Sequence, residues 1–356
     1  MNVIQLGNKK VSQRSRPYFI ADVAANHDGK LDRALSLIEL AKEAGADAAK
    51  FQNFQASKIV SRKGFDSMRG QLSHQKNWKK SVYEVYEDAS ISMNWTPILK
   101  EKCDEVGIEY FTSPYDAQSV DLVDQYVSLY KIGSGDITWL DMIEYIAKKG
   151  KPVLIAVGAS TLQDVKRAVS TLEKITSDFV LMQCNTNYTG SPKNFKYINL
   201  NVLRTFKDLY ADMILGLSDH THGHTTILGA QALGATVFEK HFTDSNDREG
   251  PDHKFAMNPT SWRLMVDASH ELFDAMGDGE KIVEKNEEQT TMVQRRAIRF
   301  TRDLPEGYVV TEDDLFPLRP YDPEGFHPYE KDLLIGRILV RNVMGDDMVK
   351  KGDLKG

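Results

Sequence analysis

Two strand-like stretches of this chain each deliver a histidine at their C-terminal end. The first runs Met213-Ile214-Leu215-Gly216-Leu217-Ser218-Asp219-His220. The second runs Ala235-Thr236-Val237-Phe238-Glu239-Lys240-His241, with Gly250-Pro251-Asp252-His253 soon after. They lie about one βα unit apart, so in a parallel barrel both imidazoles reach one mouth. Such a pair suits a divalent metal (manganese, zinc or cobalt), and coordination positions left open suit catalysis. The segment Asp219-His220-Thr221-His222-Gly223-His224 holds three histidines, and spacing alone does not choose among them. Only His220 continues the strand directly, so it is read as the partner of His241.

Other polar residues gather at strand ends. Asp22 closes the first apolar run, before Asn26-His27-Asp28-Gly29; Lys50 and Gln52 follow on the second, and Thr112 and Ser113 on the third. Lys131 precedes Gly133-Ser134-Gly135-Asp136, and Gln183 leads into Asn185, Asn187 and Tyr188. Side chains of a barrel strand alternate between interior and helix layer. Lys50 with Gln52, Ser218 with His220, and Glu239 with His241 share parity; facing inward, they turn Asp219 and Lys240 toward the helices. A lone lysine at a strand end is usually solvated. Two of them around one mouth, with Thr112 and Ser134, form a cradle for a phosphate.

The elements that must position these groups follow a repeated pattern from Pro17 to Gly277. Amphipathic segments end in glycine, and a short apolar strand begins within a few residues, as after Gly45, Gly107, Gly150 and Gly234. Glycine closes a helix because it accepts the left-handed conformation. Strands are expected at Tyr18–Asp22, Asp47–Phe51, Glu109–Thr112, Leu129–Ile132, Val153–Val157, Phe179–Gln183, Met213–Ser218 and Thr236–His241. Eight βα units match a (β/α)8 TIM barrel of roughly 250 residues. An open doubly wound sheet fits less well, since it wants a Gly-rich phosphate loop that the sequence lacks. The expected organisation is an N-terminal arm over 1–16, a barrel over 17–277, a polar linker over 278–293 and a small β-rich domain over 294–356.

The chain has 356 residues, 41% hydrophobic and 27% charged, with formal charge −6. That acidity disfavours a nucleic-acid binder, whose phosphate contacts need a basic surface. Cys103 and Cys184 form neither a metal motif nor a disulfide framework, which fits a reducing compartment. Neither a signal peptide nor a membrane-length apolar run is found, so a soluble cytoplasmic protein is expected.

Taken in order, Asn26-His27-Asp28-Gly29, Lys50-Phe51-Gln52, Lys131-Ile132-Gly133-Ser134-Gly135-Asp136, Gly216-Leu217-Ser218-Asp219-His220-Thr221, Glu239-Lys240-His241-Phe242-Thr243 and Gly250-Pro251-Asp252-His253 resemble the N-acetylneuraminate (sialic acid) synthase family. Arg295-Arg296-Ala297-Ile298, Leu318-Arg319-Pro320 and Ile335-Gly336-Arg337 look like that family's antifreeze-like (β-clip) domain. The resemblance implies a barrel that condenses phosphoenolpyruvate with an open-chain N-acylated hexose. The product is a nine-carbon 2-keto-3-deoxy sugar acid, with phosphate released by C–O cleavage. By similarity, Lys50, Thr112, Lys131, Ser134 and Ser218 hold phosphoenolpyruvate. His220 and His241 bind Mn2+, with Co2+ or Mg2+ as substitutes, to polarise the sugar aldehyde. Asp22 positions water or shuttles a proton, and Gln52, Asp136, Asn187, Tyr188 and Asp252 contact the sugar. The family is a domain-swapped homodimer, in which Arg319 reaches the acyl group bound by the other subunit.

Three departures fall on substrate-facing positions. Asp22 stands where the family usually has Glu, Ala156 where it has a serine hydroxyl, and Thr189 where a proline follows the tyrosine. They point to a divergent nonulosonate synthase with its own acceptor. The rivals are a 3-deoxy sugar-acid phosphate synthase, a Schiff-base aldolase working through Lys50 or Lys131, and a non-catalytic sugar-binding homologue.

Overall fold

The computed structural model describes residues 2–68 and 78–356, and the chain divides into two compact units, 2–277 and 278–356. No helix among the described residues is long and apolar enough to cross a membrane.

Within the stretch read as an arm, β1 (Val3–Leu6) and β2 (Lys9–Ser12) form a hairpin. Ile4, Leu6 and Val11 are buried in the core of the first unit. The two strands meet at Gly7, whose φ of 60° suits a tight hairpin turn.

Eight parallel strands then close into a barrel: β3 (Tyr18–Asp22), β4 (Ala48–Asn53), β5 (Glu109–Pro114), β6 (Tyr130–Ile132), β7 (Val153–Ala156), β8 (Phe179–Cys184), β9 (Ile214–Asp219) and β10 (Ala235–His241). Each strand pairs with the next, and β10 returns to β3. All eight expected strands are present, with bounds shifted by a residue or two. Gly45, Gly107, Gly150 and Gly234 all take positive φ at the helix-to-strand turns. The helix Leu31–Glu43 buries Ala34, Leu37, Ile38 and Ala41, one face at helical spacing. The connection after β4 departs from the simple repeat. Within Phe54–Asn94 it carries short helices at Ala56–Ile59, Arg62–Ser67 and Val82–Ala89.

The second unit holds two small antiparallel pairs, β11 (Ala297–Phe300) with β12 (Leu315–Leu318) and β13 (Ile338–Leu339) with β14 (Leu354–Lys355). Its own apolar cluster joins Ile298, Phe300, Val310, Leu315, Leu339 and Val349 among others. The stretch expected as a linker is helical over Glu288–Gln294.

Candidate active site

Register determines which side chains enter the barrel, because residues directly opposite in a parallel pair face the same side. Asp22 pairs with both His241 and Lys50, and Ser218 pairs with both Glu239 and Cys184. These six residues therefore project inward together. Asp219 and Lys240, paired with each other, face the helix layer as parity implied. There they form a buried ion pair; Lys240 Nζ also donates to the Thr221 carbonyl at 2.6 Å, and the Thr221 and Thr226 hydroxyls donate to Asp219.

At the floor of the mouth lies a cluster of four charged side chains. Lys50 Nζ is 2.7 Å from Asp22 Oδ2 and 3.4 Å from Glu239 Oε2, while Lys131 Nζ is 3.0 Å from Glu239 Oε1. Ser218 Oγ donates to the same Glu239 oxygen at 3.0 Å. Asp22, Lys50, Lys131 and Glu239 are only 2, 3, 2 and 4% exposed. Burial works against the Glu239 charge, but the Lys131 and Lys50 ammoniums outweigh it and hold the carboxyl down to about 2. Burial also pulls Lys50 down, yet Asp22 and Glu239 more than offset it, so this lysine stays charged. Lys131 is lowered, chiefly by burial, and Asp22 is raised for the same reason. The Ala24 amide, held at a φ of 44°, donates to Asp22 Oδ1 at 3.0 Å.

The two imidazoles stand above this cluster with ring centroids 5.2 Å apart. His220 Nδ1 lies 3.0 Å from the Asn185 carbonyl, which fixes the proton on that nitrogen and leaves the Nε2 lone pair free to act. His241 Nε2 is 3.7 Å from Asp22 Oδ2, and its Nδ1 is buried without a hydrogen bond, 3.6 Å from Asp252 Oδ2. Burial lowers both histidines to about 3, with His241 adding to the effect on His220 and Lys50 to that on His241. Neutral imidazoles with available lone pairs are the donors a divalent cation needs. Among the described residues no third His, Cys, Asp or Glu completes a ligand group. The pair therefore fits an ion held by two protein ligands with its other positions open.

These groups line one cavity of about 380 Å³. Of the expected site residues, Asp22, Lys50, Gln52, Lys131, Ser134, Asp136, Tyr188, Ser218, His220, His241 and Asp252 all reach it, together with Ala156. Ser134 Oγ accepts from the Gly158 amide at 2.9 Å; a Cβ on Gly158 would sit 3.0 Å from that oxygen and 2.7 Å from Thr186. Tyr188 packs edge-on to His220 at 4.3 Å. Burial pushes Asp136 up to about 6 and Asp252 up to about 7.

Three expected residues lie elsewhere. Thr112 pairs with Phe51 and Tyr130 and so faces the helix layer, where its hydroxyl donates to Asn53 Oδ1 at 2.6 Å. Its neighbour Ser113, paired with Gln52, lines the cavity instead, and its buried hydroxyl has no hydrogen-bond partner. The Asn187 side-chain Oδ1 accepts from Thr189 and Asn194, and the residue does not line the cavity. Arg319 belongs to the second unit, exposed beyond β12, where its Nε donates to the Gln294 carbonyl. Sequence reading placed Glu239 inward without giving it a role, and it passed over Tyr86 and Tyr115, which also line the cavity.

The NeuB family matches residues 37–281, and the SAF domain matches residues 295–355. An uncharacterized protein of Methanocaldococcus jannaschii is 30% identical over 100% of each chain. N,N'-diacetyllegionaminic acid synthase of Campylobacter jejuni is 32% identical, over 93% of this chain and 98% of its own. The crystal structure of N-acetylneuraminic acid (sialic acid) synthetase from Leptospira borgpetersenii superposes with a TM-score of 0.71 at 26% identity, covering 81% of this chain and 95% of that one. With the barrel, the appended domain and relatives that make nonulosonic acids in agreement, the chain belongs to the NeuB family.

Proposed function

We propose that this protein is a nonulosonate synthase that joins phosphoenolpyruvate to an open-chain N-acylated hexose. One observation carries the reading: two neutral, buried imidazoles stand over a cluster of two lysines and two carboxylates in a single cavity. The lysines, with the Ser113, Ser134 and Ser218 hydroxyls, form an anion cradle for the phosphate and carboxylate of phosphoenolpyruvate. Glu239 holds both ammoniums in place until the substrate's charge arrives.

The sugar lies toward the mouth with its aldehyde at the imidazoles and its hydroxyls against Gln52, Asp136, Tyr188 and Asp252. A divalent cation held by His220 and His241, most simply Mn2+ and alternatively Co2+ or Mg2+, supplies Lewis-acid polarisation of that aldehyde. Carbon 3 of phosphoenolpyruvate forms the new bond to the aldehyde carbon, and the aldehyde oxygen takes up a proton. Water adds at carbon 2, and the bond from that carbon to the phosphate oxygen breaks. Asp22, hydrogen-bonded to Gln52 and Lys50, orients the water and accepts its proton. The result is a nine-carbon 2-keto-3-deoxy acid and inorganic phosphate.

In this reading the protein works as a homodimer, in which the second unit of one copy closes the barrel mouth of the other and brings Arg319 to the acyl group. The exposure of Arg319 supports that role. Phosphate release from phosphoenolpyruvate, followed with Mn2+ across N-acylated hexoses, tests the reaction. Release that depends on both the sugar and the metal supports it, and no release with any acceptor refutes it.

A further inference from the structure

Two sequence motifs that the reaction leaves partly unused meet beside the cavity. Asp28, of Asn26-His27-Asp28-Gly29, and His253, of Gly250-Pro251-Asp252-His253, stand 225 residues apart in the chain. His253 is fully buried, and its Nε2 donates to Asp28 Oδ1 at 3.0 Å. On the other side of the ring, Nδ1 lies 2.7 Å from the Thr243 hydroxyl. Asp28 Oδ2 faces Arg33 Nε at 3.1 Å, and both terminal nitrogens of that guanidinium donate to Asp244, the residue after Thr243. The contacts close a ring that runs from Thr243 through His253, Asp28 and Arg33 to Asp244. It stitches the segment after β10 to the loop after β3.

This ring lies one residue from a group in the cavity. Asp252 lines the cavity, whereas its neighbour His253 does not and is packed among the ring's other members. Asp252 Oδ2 accepts from the Ala25 amide at 3.3 Å and stands 3.6 Å from His241 Nδ1. One long backbone bond is a weak hold on a carboxylate. The segment that carries it is held more firmly. Asn246 Nδ2 donates to the His253 carbonyl at 2.8 Å and to the Ala256 carbonyl at 2.7 Å. Glycine at 250 leaves room for the imidazole, since a Cβ there would sit 2.6 Å from His253 Cδ2. The turn that presents Asp252 is thus built around the His253 ring.

Resting on the synthase reading, we propose that His253 is a positioning residue: held by Asp28 and Thr243, it fixes Asp252 where the acceptor sugar meets it. His253 touches no substrate and acts through its neighbour. A contacting group must be held to a fraction of an ångström, and a shift of about 1 Å costs about 100-fold. The loss falls on the sugar, because phosphoenolpyruvate is held by the lysines and serines.

The test measures KM separately for phosphoenolpyruvate and for N-acetylmannosamine, or for the N-acylated hexose the native protein uses best. It employs the full-length protein with Mn2+ and follows phosphate release. His253→Leu and Asp28→Ala should each raise the sugar KM about 10- to 100-fold, and leave that for phosphoenolpyruvate within about twofold. His253→Gln, which keeps a donor for Asp28, should recover most of the loss. In an Asp252→Ala background neither substitution should raise the sugar KM further, since no carboxylate remains to be placed. Asp28 is partly exposed and its loss leaves Arg33 bonded to Asp244 and the Asn26 carbonyl, so Asp28→Ala decides the matter if His253→Leu does not fold. A native sugar KM in folded variants, equal rises in both KM values, or losses that add to that of Asp252→Ala overturn the inference and leave the synthase reading standing. If no N-acylated hexose releases phosphate with the native protein, the synthase reading is refuted and the inference falls with it.

Discussion

The Glu239 carboxylate accepts the Lys131 ammonium at 3.0 Å, and both side chains are buried. Glu239 also faces Lys50 at 3.4 Å, so one carboxylate serves two ammoniums. Glu239→Gln leaves those cations under-compensated, which should cost about 3 kcal/mol of stability. An anion in the cradle restores the balance. Thermal unfolding should therefore show a lower Tm for the variant, and a larger upward shift on adding phosphoenolpyruvate than the native protein shows. An equal shift in both would remove Glu239 from the cradle.

Ser113 and Thr112 are adjacent but face opposite sides of β5. Ser113→Ala removes an unpartnered hydroxyl from the cavity and should raise KM for phosphoenolpyruvate roughly tenfold, as for a hydrogen bond to a charged group. Thr112→Val leaves the buried Asn53 Oδ1 without its donor and should cost about 1–3 kcal/mol of stability with KM unchanged. Steady-state kinetics and denaturant unfolding separate the two, and the reverse pattern would restore Thr112 to the site.

Much of this was legible in the sequence. Eight apolar runs, four of them opened by a Gly turn, set out the barrel, and parity correctly sent Lys50, Gln52, Ser218, Glu239 and His241 inward and Asp219 and Lys240 outward. Thr112 was expected at the mouth, whereas the register turns it to the helix layer and its neighbour Ser113 to the cavity. Strand register decides between such neighbours, and a single sequence carries no register across strands. The hairpin at the N-terminus was missed although Ile4, Leu6 and Val11 flank a Gly-Asn turn; the surrounding Lys and Arg masked the alternation. The connection after β4 has no barrel periodicity, because it packs on its own cluster of Ala56, Val60 and Val82 and not on the sheet.

Lys240 and Asp219 are buried behind the two histidines, each within one residue of a metal-ligand candidate. Lys240→Met alone strands the Asp219 charge and should cost about 3–5 kcal/mol. Adding Asp219→Leu removes that charge and should recover most of the loss. Denaturant unfolding of the single and double variants measures the coupling. A double variant no more stable than the single one would show that the ion pair is not the source of the loss.

Asp136 titrates in a useful range, since burial raises it to about 6. The folded state holds this proton more tightly than the unfolded chain does. Its contribution to stability is therefore fully present below the ordinary carboxylate range and is lost as pH rises through about 6. From about pH 7 down to about pH 4, the native protein should gain about 1–2 kcal/mol relative to Asp136→Asn. Parallel unfolding curves across that window would mean that the carboxyl is better hydrated than its surroundings imply.

The central claim, condensation with C–O cleavage, is tested most directly by phosphoenolpyruvate carrying a heavy-oxygen label in the bridge between carbon 2 and phosphorus. With Mn2+ and an accepted N-acylated hexose, we expect all of the label in inorganic phosphate and none in the nine-carbon acid. Label retained in the organic product, or phosphate formed without a nine-carbon acid, would contradict the synthase chemistry assigned to this cavity.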